Sequence, residues 1–139
     1  MHAMEIVLIE DNRGDVLLLT EALRQVECVP QMTVAGDGMA GLALLRERAA
    51  ASPPQLPDLI LLDLNLPRMD GWEVLRHLKA EPVLRAVPTA ILTSSKADRH
   101  LMQAHDLPAD RYLIKPASFQ GFLELAGRIA GLLAAEAPI

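Results

Sequence analysis

Short aliphatic runs, each stopping at a polar residue and followed by a longer segment of helical period, recur five times along this chain. Parallel strands need long crossovers, and helices supply them, so the alternation leads to a parallel sheet covered by helices on both faces. Ile6-Val7-Leu8-Ile9 is apolar without interruption, as a strand buried on both faces must be, and it stops at Glu10-Asp11-Asn12. Met32-Thr33-Val34 is the second run. Leu59-Ile60-Leu61-Leu62 is the third and the most apolar, which predicts a central place in the sheet, and it ends in Asp63-Leu64-Asn65. Thr89-Ala90-Ile91-Leu92 runs into Thr93-Ser94-Ser95, and Tyr112-Leu113-Ile114 into Lys115-Pro116.

Helical spacing fills the intervals. Asp15 is the expected N-cap of a first helix carrying Val16, Leu19, Leu23 and Val26, and Leu42, Leu45 and Ala49 mark a second. Past the turn at Asp70-Gly71, Val74, Leu75 and Leu78 give a short third helix closed by Pro82. A helix with a thin apolar pattern is expected around Asp98 to His105. The last helix presents Phe119, Phe122, Ala126, Ile129 and Leu133 on one face, with Leu125 and Leu132 off that stripe as a candidate second contact face.

The residues beyond Lys115 suffice for one helix, so residues 1–139 are expected to form a single domain without an output domain. A chain of about 150 residues buries roughly 68–70% of its unfolded surface, enough for a core without staples. Lys and Arg number 13 against 18 Asp and Glu, a net charge of −5, which lacks the basic footprint of a nucleic-acid binder. The single cysteine, Cys28, makes no internal disulfide, and the start of the chain lacks the basic and apolar regions of a secretory signal. No apolar run reaches the roughly 18 residues of a membrane span. A cytoplasmic location, with neither membrane nor nucleic acid as partner, is expected.

Ligands of open parallel sheets bind beyond the carboxyl ends of the strands. At those ends stand Glu10 and Asp11, Asp63, Thr93 and Lys115. Gathered carboxylates repel by about 4 kcal/mol per pair at ~4 Å and an effective dielectric of 20. A hard divalent cation such as Mg²⁺ relieves that repulsion with one or two carboxylates, waters and phosphoryl oxygens. Asp63 is then a candidate nucleophile for phosphoryl transfer, Lys115 a point charge for phosphoryl oxygens, and Thr93 a hydroxyl donor.

The order Glu10-Asp11, Asp63, Thr93-Ser94, Tyr112 and Lys115-Pro116 resembles the receiver domain of two-component response regulators over essentially the whole chain. The resemblance implies a flavodoxin-like fold: a doubly wound, five-stranded parallel α/β sheet in the order 2-1-3-4-5 with five helices. It implies that Asp63 is the phosphoacceptor for a sensor histidine kinase. Mg²⁺ would be bound by Asp11, Asp63 and the backbone carbonyl of Asn65, with Glu10 assisting through water. It also implies a cis peptide at Lys115-Pro116 and a switch in which Thr93 moves toward the phosphoryl group and Tyr112 turns inward. Such a domain is not an enzyme of multiple turnover; it assists its own phosphorylation and dephosphorylation. Output would be a protein contact, a downstream partner or a homodimer, on the face of the fourth helix, fifth strand and last helix. Glu10-Asp11-Asn12 with Asp15, the extended segment 49–57 and Thr93-Ser94-Ser95 are similar to single-domain regulators that serve bacterial phytochrome kinases.

Other motifs have plainer readings. Gly36-Asp37-Gly38-Met39-Ala40-Gly41 matches the dinucleotide fingerprint, but the acid about 20 residues on, Asp58, lies at the wrong end of the next strand, so turn and helix-start glycines are expected and no cofactor-binding residue is assigned. Arg13-Gly14-Asp15 spells an adhesion tripeptide with no use inside a cell. His2, His77, His100 and His105 show no metal-ligand spacing and are expected at the surface, and Trp72 is expected to be partly buried. Tyr112 is by default a core aromatic with an exposed hydroxyl. A haloacid-dehalogenase-like phosphatase would need an acid two residues after the nucleophile; Asn65 stands there, and an amide cannot serve as its general acid and base.

Overall fold

In the computed structural model, which describes residues 4–94 and 111–136, the strands β1 (Glu5–Ile9), β2 (Gln31–Ala35), β3 (Leu59–Asp63), β4 (Thr89–Thr93) and β5 (Tyr112–Ile114) form one sheet. All neighbours are parallel and the order is β2-β1-β3-β4-β5, so the most apolar strand is the central one. Side chains alternate across the pleat: Ile6, Leu8, Leu59 and Leu61 face one layer, and Val7, Ile9, Ile60 and Leu62 face the other. Both layers are apolar, which is why these strands read as unbroken runs.

Helices α1 (Arg13–Gln25) and α4 (Phe119–Glu136) cover the first face, and α2 (Gly38–Ala50) and α3 (Gly71–Ala80) the second. A 3₁₀ turn spans Leu84–Ala86. The described residues hold four α-helices rather than the five expected; the segment Asp98 to His105, like Ser95, His2, His100 and His105, lies outside them. None of the described helices is long and apolar enough to cross a membrane.

Side-chain caps start the helices. Asn12, not Asp15, caps α1: its Oδ1 accepts from the Asp15 N–H at 3.0 Å. The shorter reach of Asn12 to the first turn leaves the Asp15 carboxylate free for another partner. Asp37 accepts from Ala40 N–H at 2.7 Å and Asp70 from Glu73 N–H at 2.9 Å. The dinucleotide-like glycines are thus a capped helix start, as expected; a Cβ on Gly38 would lie 2.1 Å from the Met69 carbonyl oxygen, and Gly41 packs on Ile9.

In α4 the stripe shifts from the expected one. Phe119 is 39% exposed, whereas Leu125 is buried with Phe122, Ala126, Ile129 and Leu133, and Leu132 packs against the same cluster. The buried arc of this helix is wide, so Leu125 belongs to the core and marks no second face. The Lys115-Pro116 bond is not cis; the cis bond among the described residues is Ser52-Pro53. An X–Pro bond prefers trans by only about 0.5–1 kcal/mol, so its isomer is decided by surroundings.

At the opposite edge from the strand-end acids, Arg48 clamps Glu5 through Nη1 at 2.8 Å and Nη2 at 2.9 Å, and Thr33 Oγ1 donates to the same carboxylate at 2.8 Å. The bonds from Arg48 outweigh burial and hold the Glu5 carboxyl below its usual value of 4.5. A carboxylate with a lowered folded pKa contributes stability above its unfolded pKa and loses it as pH falls through the folded value. Glu5→Gln is therefore expected to lose about 1–3 kcal/mol of unfolding free energy at neutral pH. The deficit should shrink as urea titrations move below pH 4.5, and a pH-independent deficit would refute this assignment.

Candidate functional site

The sheet topology places the strand-end acids side by side. Ile9 of β1 pairs with Leu62 of β3, so the residues that follow, Glu10 and Asp63, are neighbours at the carboxyl ends of these strands. β5 lies beyond β4, with Ile114 opposite Thr93, and the Lys115 N–H donates to the Thr93 carbonyl at 2.8 Å. From there the long Lys115 side chain reaches Asp63. Its Nζ stands 2.5 Å from Glu10 Oε1, 3.0 Å from Asp15 Oδ2 and 3.1 Å from Asp63 Oδ2.

The other oxygens of Glu10 and Asp63 are held by backbone. Asn12 N–H donates to Glu10 Oε2 at 3.1 Å, and Asn65 N–H donates to Asp63 Oδ1 at 3.0 Å. The loop after β3 folds back through the Gly71 N–H, which donates to the Leu64 carbonyl at 3.0 Å. A Cβ on Gly71 would stand 2.4 Å from the Asp63 carbonyl oxygen, so only glycine allows helix α3 to start this close to Asp63.

Glu10 and Asp63 are 3% and 2% exposed, while Asp11 and Asn65 lie at the surface. Burial pushes the Glu10 carboxyl up to about 7, and the neighbouring Asp63 carboxyl adds to that, against the pull of Lys115. Burial alone would lower the Lys115 pKa, but the bonds to Glu10 and Asp15 and the charge of Asp63 raise it above the ordinary lysine range. One ammonium thus serves several carboxylates, and the site is short of positive charge.

The donor set fits a hard divalent ion. Glu10, Asp11 and Asp63 each offer an oxygen, and these lie within 4.8 Å of one another. Oxygen donors suit Mg²⁺, Mn²⁺ or Ca²⁺ rather than a soft metal.

The structure brings together Glu10, Asp11, Asp63 and Lys115 as expected, with the Asn65 backbone and Thr93 beside them. Glu10 does more than expected, since it contacts Lys115 directly. Asp15 was not expected here at all; the sign available in the sequence is an acid in the first turn of the helix that follows Glu10-Asp11. Thr93 is fully buried. Tyr112 is a core aromatic as expected: only 3% of it is exposed, and it belongs to the buried cluster of Ile91, Val87 and Leu75 on the α3 face. His77 is exposed and Trp72 half-buried, both as expected.

This acid and lysine constellation at the carboxyl edge of a 2-1-3-4-5 parallel sheet defines a receiver domain, and the chain belongs to that family: a sequence model of the response regulator receiver domain matches residues 6–126. Among curated proteins it is similar to response regulator Rcp1 of Synechocystis sp., 32% identical over 120 residues, which cover 86% of this chain and 82% of Rcp1. The phosphorylated cyanobacterial phytochrome response regulator RcpA superposes with a TM-score of 0.82 at 33% identity, over 99% of this chain and 98% of RcpA. The bacteriophytochrome response regulator AtBRR gives a TM-score of 0.75 at 33% identity, over 95% of each chain. Rcp1 has also been solved in a Mn²⁺-bound form, with a TM-score of 0.76 at 32% identity over 91% of each chain.

Proposed function

We propose that the chain is a phosphoacceptor whose Asp63 takes a phosphoryl group from the phosphohistidine of a sensor kinase in a Mg²⁺-dependent transfer. The observation that carries this reading is the buried Asp63 carboxylate, bonded to Lys115 Nζ at 3.1 Å and clustered with Glu10 and Asp11. One Asp63 oxygen bonds to phosphorus as the P–N bond to the donor imidazole breaks. The electron pair leaves with the imidazole nitrogen, which then takes a proton, and the product is an acyl phosphate. A carboxylate has no proton to lose in this attack, so no general base is needed.

Glu10, Asp11, Asp63 and the Asn65 carbonyl would hold the metal, which supplies neutralisation of the phosphoryl oxygens when bound. Lys115 supplies a second positive charge at Asp63 Oδ2, and the Asn65 N–H keeps the carboxylate oriented. Thr93 and Tyr112 form the proposed switch. The Thr93 hydroxyl would draw toward the new phosphoryl oxygens, and Tyr112 would turn inward behind it. A ligand biases such an element only through contacts made in one of its states.

The resemblance to the phytochrome response regulators RcpA and AtBRR supports a phytochrome-type histidine kinase as donor. Output is assigned to a protein surface that includes β5 and α4, open to a downstream protein or a second copy.

Acetyl phosphate with Mg²⁺ tests the reading. The intact mass is expected to rise by one phosphoryl group with the metal and to stay unchanged after chelation. No gain in the presence of Mg²⁺ would overturn phosphoacceptance. Sustained turnover of small phosphomonoesters, without a trapped adduct, would favour a phosphatase instead.

A further inference from the structure

We propose that Asp15 is a positioning residue: it holds the Lys115 ammonium beside Asp63 while the other acidic partners of that lysine are engaged by metal and phosphoryl group. The inference rests on reading Asp63 as the phosphoacceptor. Lys115 Nζ has three N–H donors and meets three carboxylates, those of Glu10, Asp15 and Asp63. Glu10 and Asp63 belong to the group whose oxygens lie within 4.8 Å and suit a divalent ion; Asp15 does not. A loaded site draws on oxygens of Glu10 and Asp63 and competes with Lys115 for them. Asp15 Oδ2 is the carboxylate partner of Lys115 outside that competition.

Its placement suits that task. Asp15 sits in the first turn of α1, with its own N–H bonded to Asn12 Oδ1 at 3.0 Å, so the backbone beneath the carboxylate is anchored. The bond joins residues 100 positions apart and ties α1 to the end of β5. Lysine has a flexible four-carbon stem, and an ammonium without an anchor moves to water. A first-turn acid that served only the helix dipole would leave the lysine and the chemistry unmoved.

The test compares wild type with Asp15→Asn, Asp15→Ala and Asp15→Glu through three readouts. These are the rate of phosphorylation by acetyl phosphate at saturating Mg²⁺, the Mg²⁺ dissociation constant, and the ¹H–¹⁵N resonance of the Lys115 ammonium with and without Mg²⁺. Asp15→Asn conserves volume, so it reports on charge in a folded protein. Removing a preorganised donor outright costs about 10²–10³ in rate, so a donor only misplaced should cost about tenfold. We expect that loss in Asp15→Ala and Asp15→Asn, with the Mg²⁺ dissociation constant unchanged and partial recovery in Asp15→Glu. The Lys115 resonance should persist in Mg²⁺-loaded wild type and broaden away in Asp15→Ala. An equal resonance in both, an unchanged rate at saturating Mg²⁺, or a loss confined to a weaker Mg²⁺ dissociation constant would each overturn the assignment. If wild type itself takes up no phosphoryl group, the reading of Asp63 fails, and the Lys115 resonance still decides the role of Asp15.

Discussion

Asp63→Asn is expected to reduce phosphoryl uptake from acetyl phosphate to background, a loss of at least about 10³-fold, as removal of a nucleophile brings in other enzymes. The amide has the size of the carboxylate and can keep the bond from the Asn65 N–H, so the β3 end should hold its shape. It lacks a nucleophilic oxygen anion and turns a donor or a neutral acceptor toward Lys115, where a charge now stands 3.1 Å away. Intact mass spectrometry reads the result directly. An undiminished gain would move the acceptor to another residue and remove the central assignment.

Lys115→Ala should have two effects of opposite sign. Without metal, the buried carboxylates of Glu10 and Asp63 and the partly buried Asp15 lose their shared cation. Removing one partner of a buried ionic group costs about 3–5 kcal/mol, because the charges left behind are unpaired. Urea unfolding in chelator should show a loss of that size. With the ammonium gone, a divalent ion becomes the principal neutralising charge, so its affinity should rise and saturating Mg²⁺ should recover much of the lost stability. Phosphorylation should nevertheless be slowed, since Lys115 also serves the phosphoryl oxygens. Stability within about 1 kcal/mol of wild type and an unchanged metal affinity would contradict the shared-cation description of the site.

The difference between these variants shows why some of the site was legible before the fold. A strand buried on both faces must be apolar throughout, so the residue at which the run stops is visible, and Glu10, Asp63, Thr93 and Lys115 are such residues. Asp15 was not legible in this way. It lies inside a helix turn where acids are common for local reasons, and its partner is 100 residues distant. Gly71 looked like a turn glycine, and its close approach to the Asp63 carbonyl becomes visible only when α3 is packed against the end of β3. Phe119 and Leu125 exchanged places because helical spacing gives the period of a stripe but not its width, which the neighbouring layer sets.

Local patterning by itself determined the five strands, their parallel pairing, the central place of β3 and the identity of the acids and lysine at the strand ends. Those features follow from burial along the chain, a property of neighbours in sequence. Only the tertiary structure decided that Lys115 is shared among Glu10, Asp15 and Asp63, that Leu125 rather than Phe119 is buried, and that the Lys115-Pro116 bond is not cis. Each of these depends on distances between groups remote along the chain, and charge, packing and peptide isomer respond to those distances rather than to residue type.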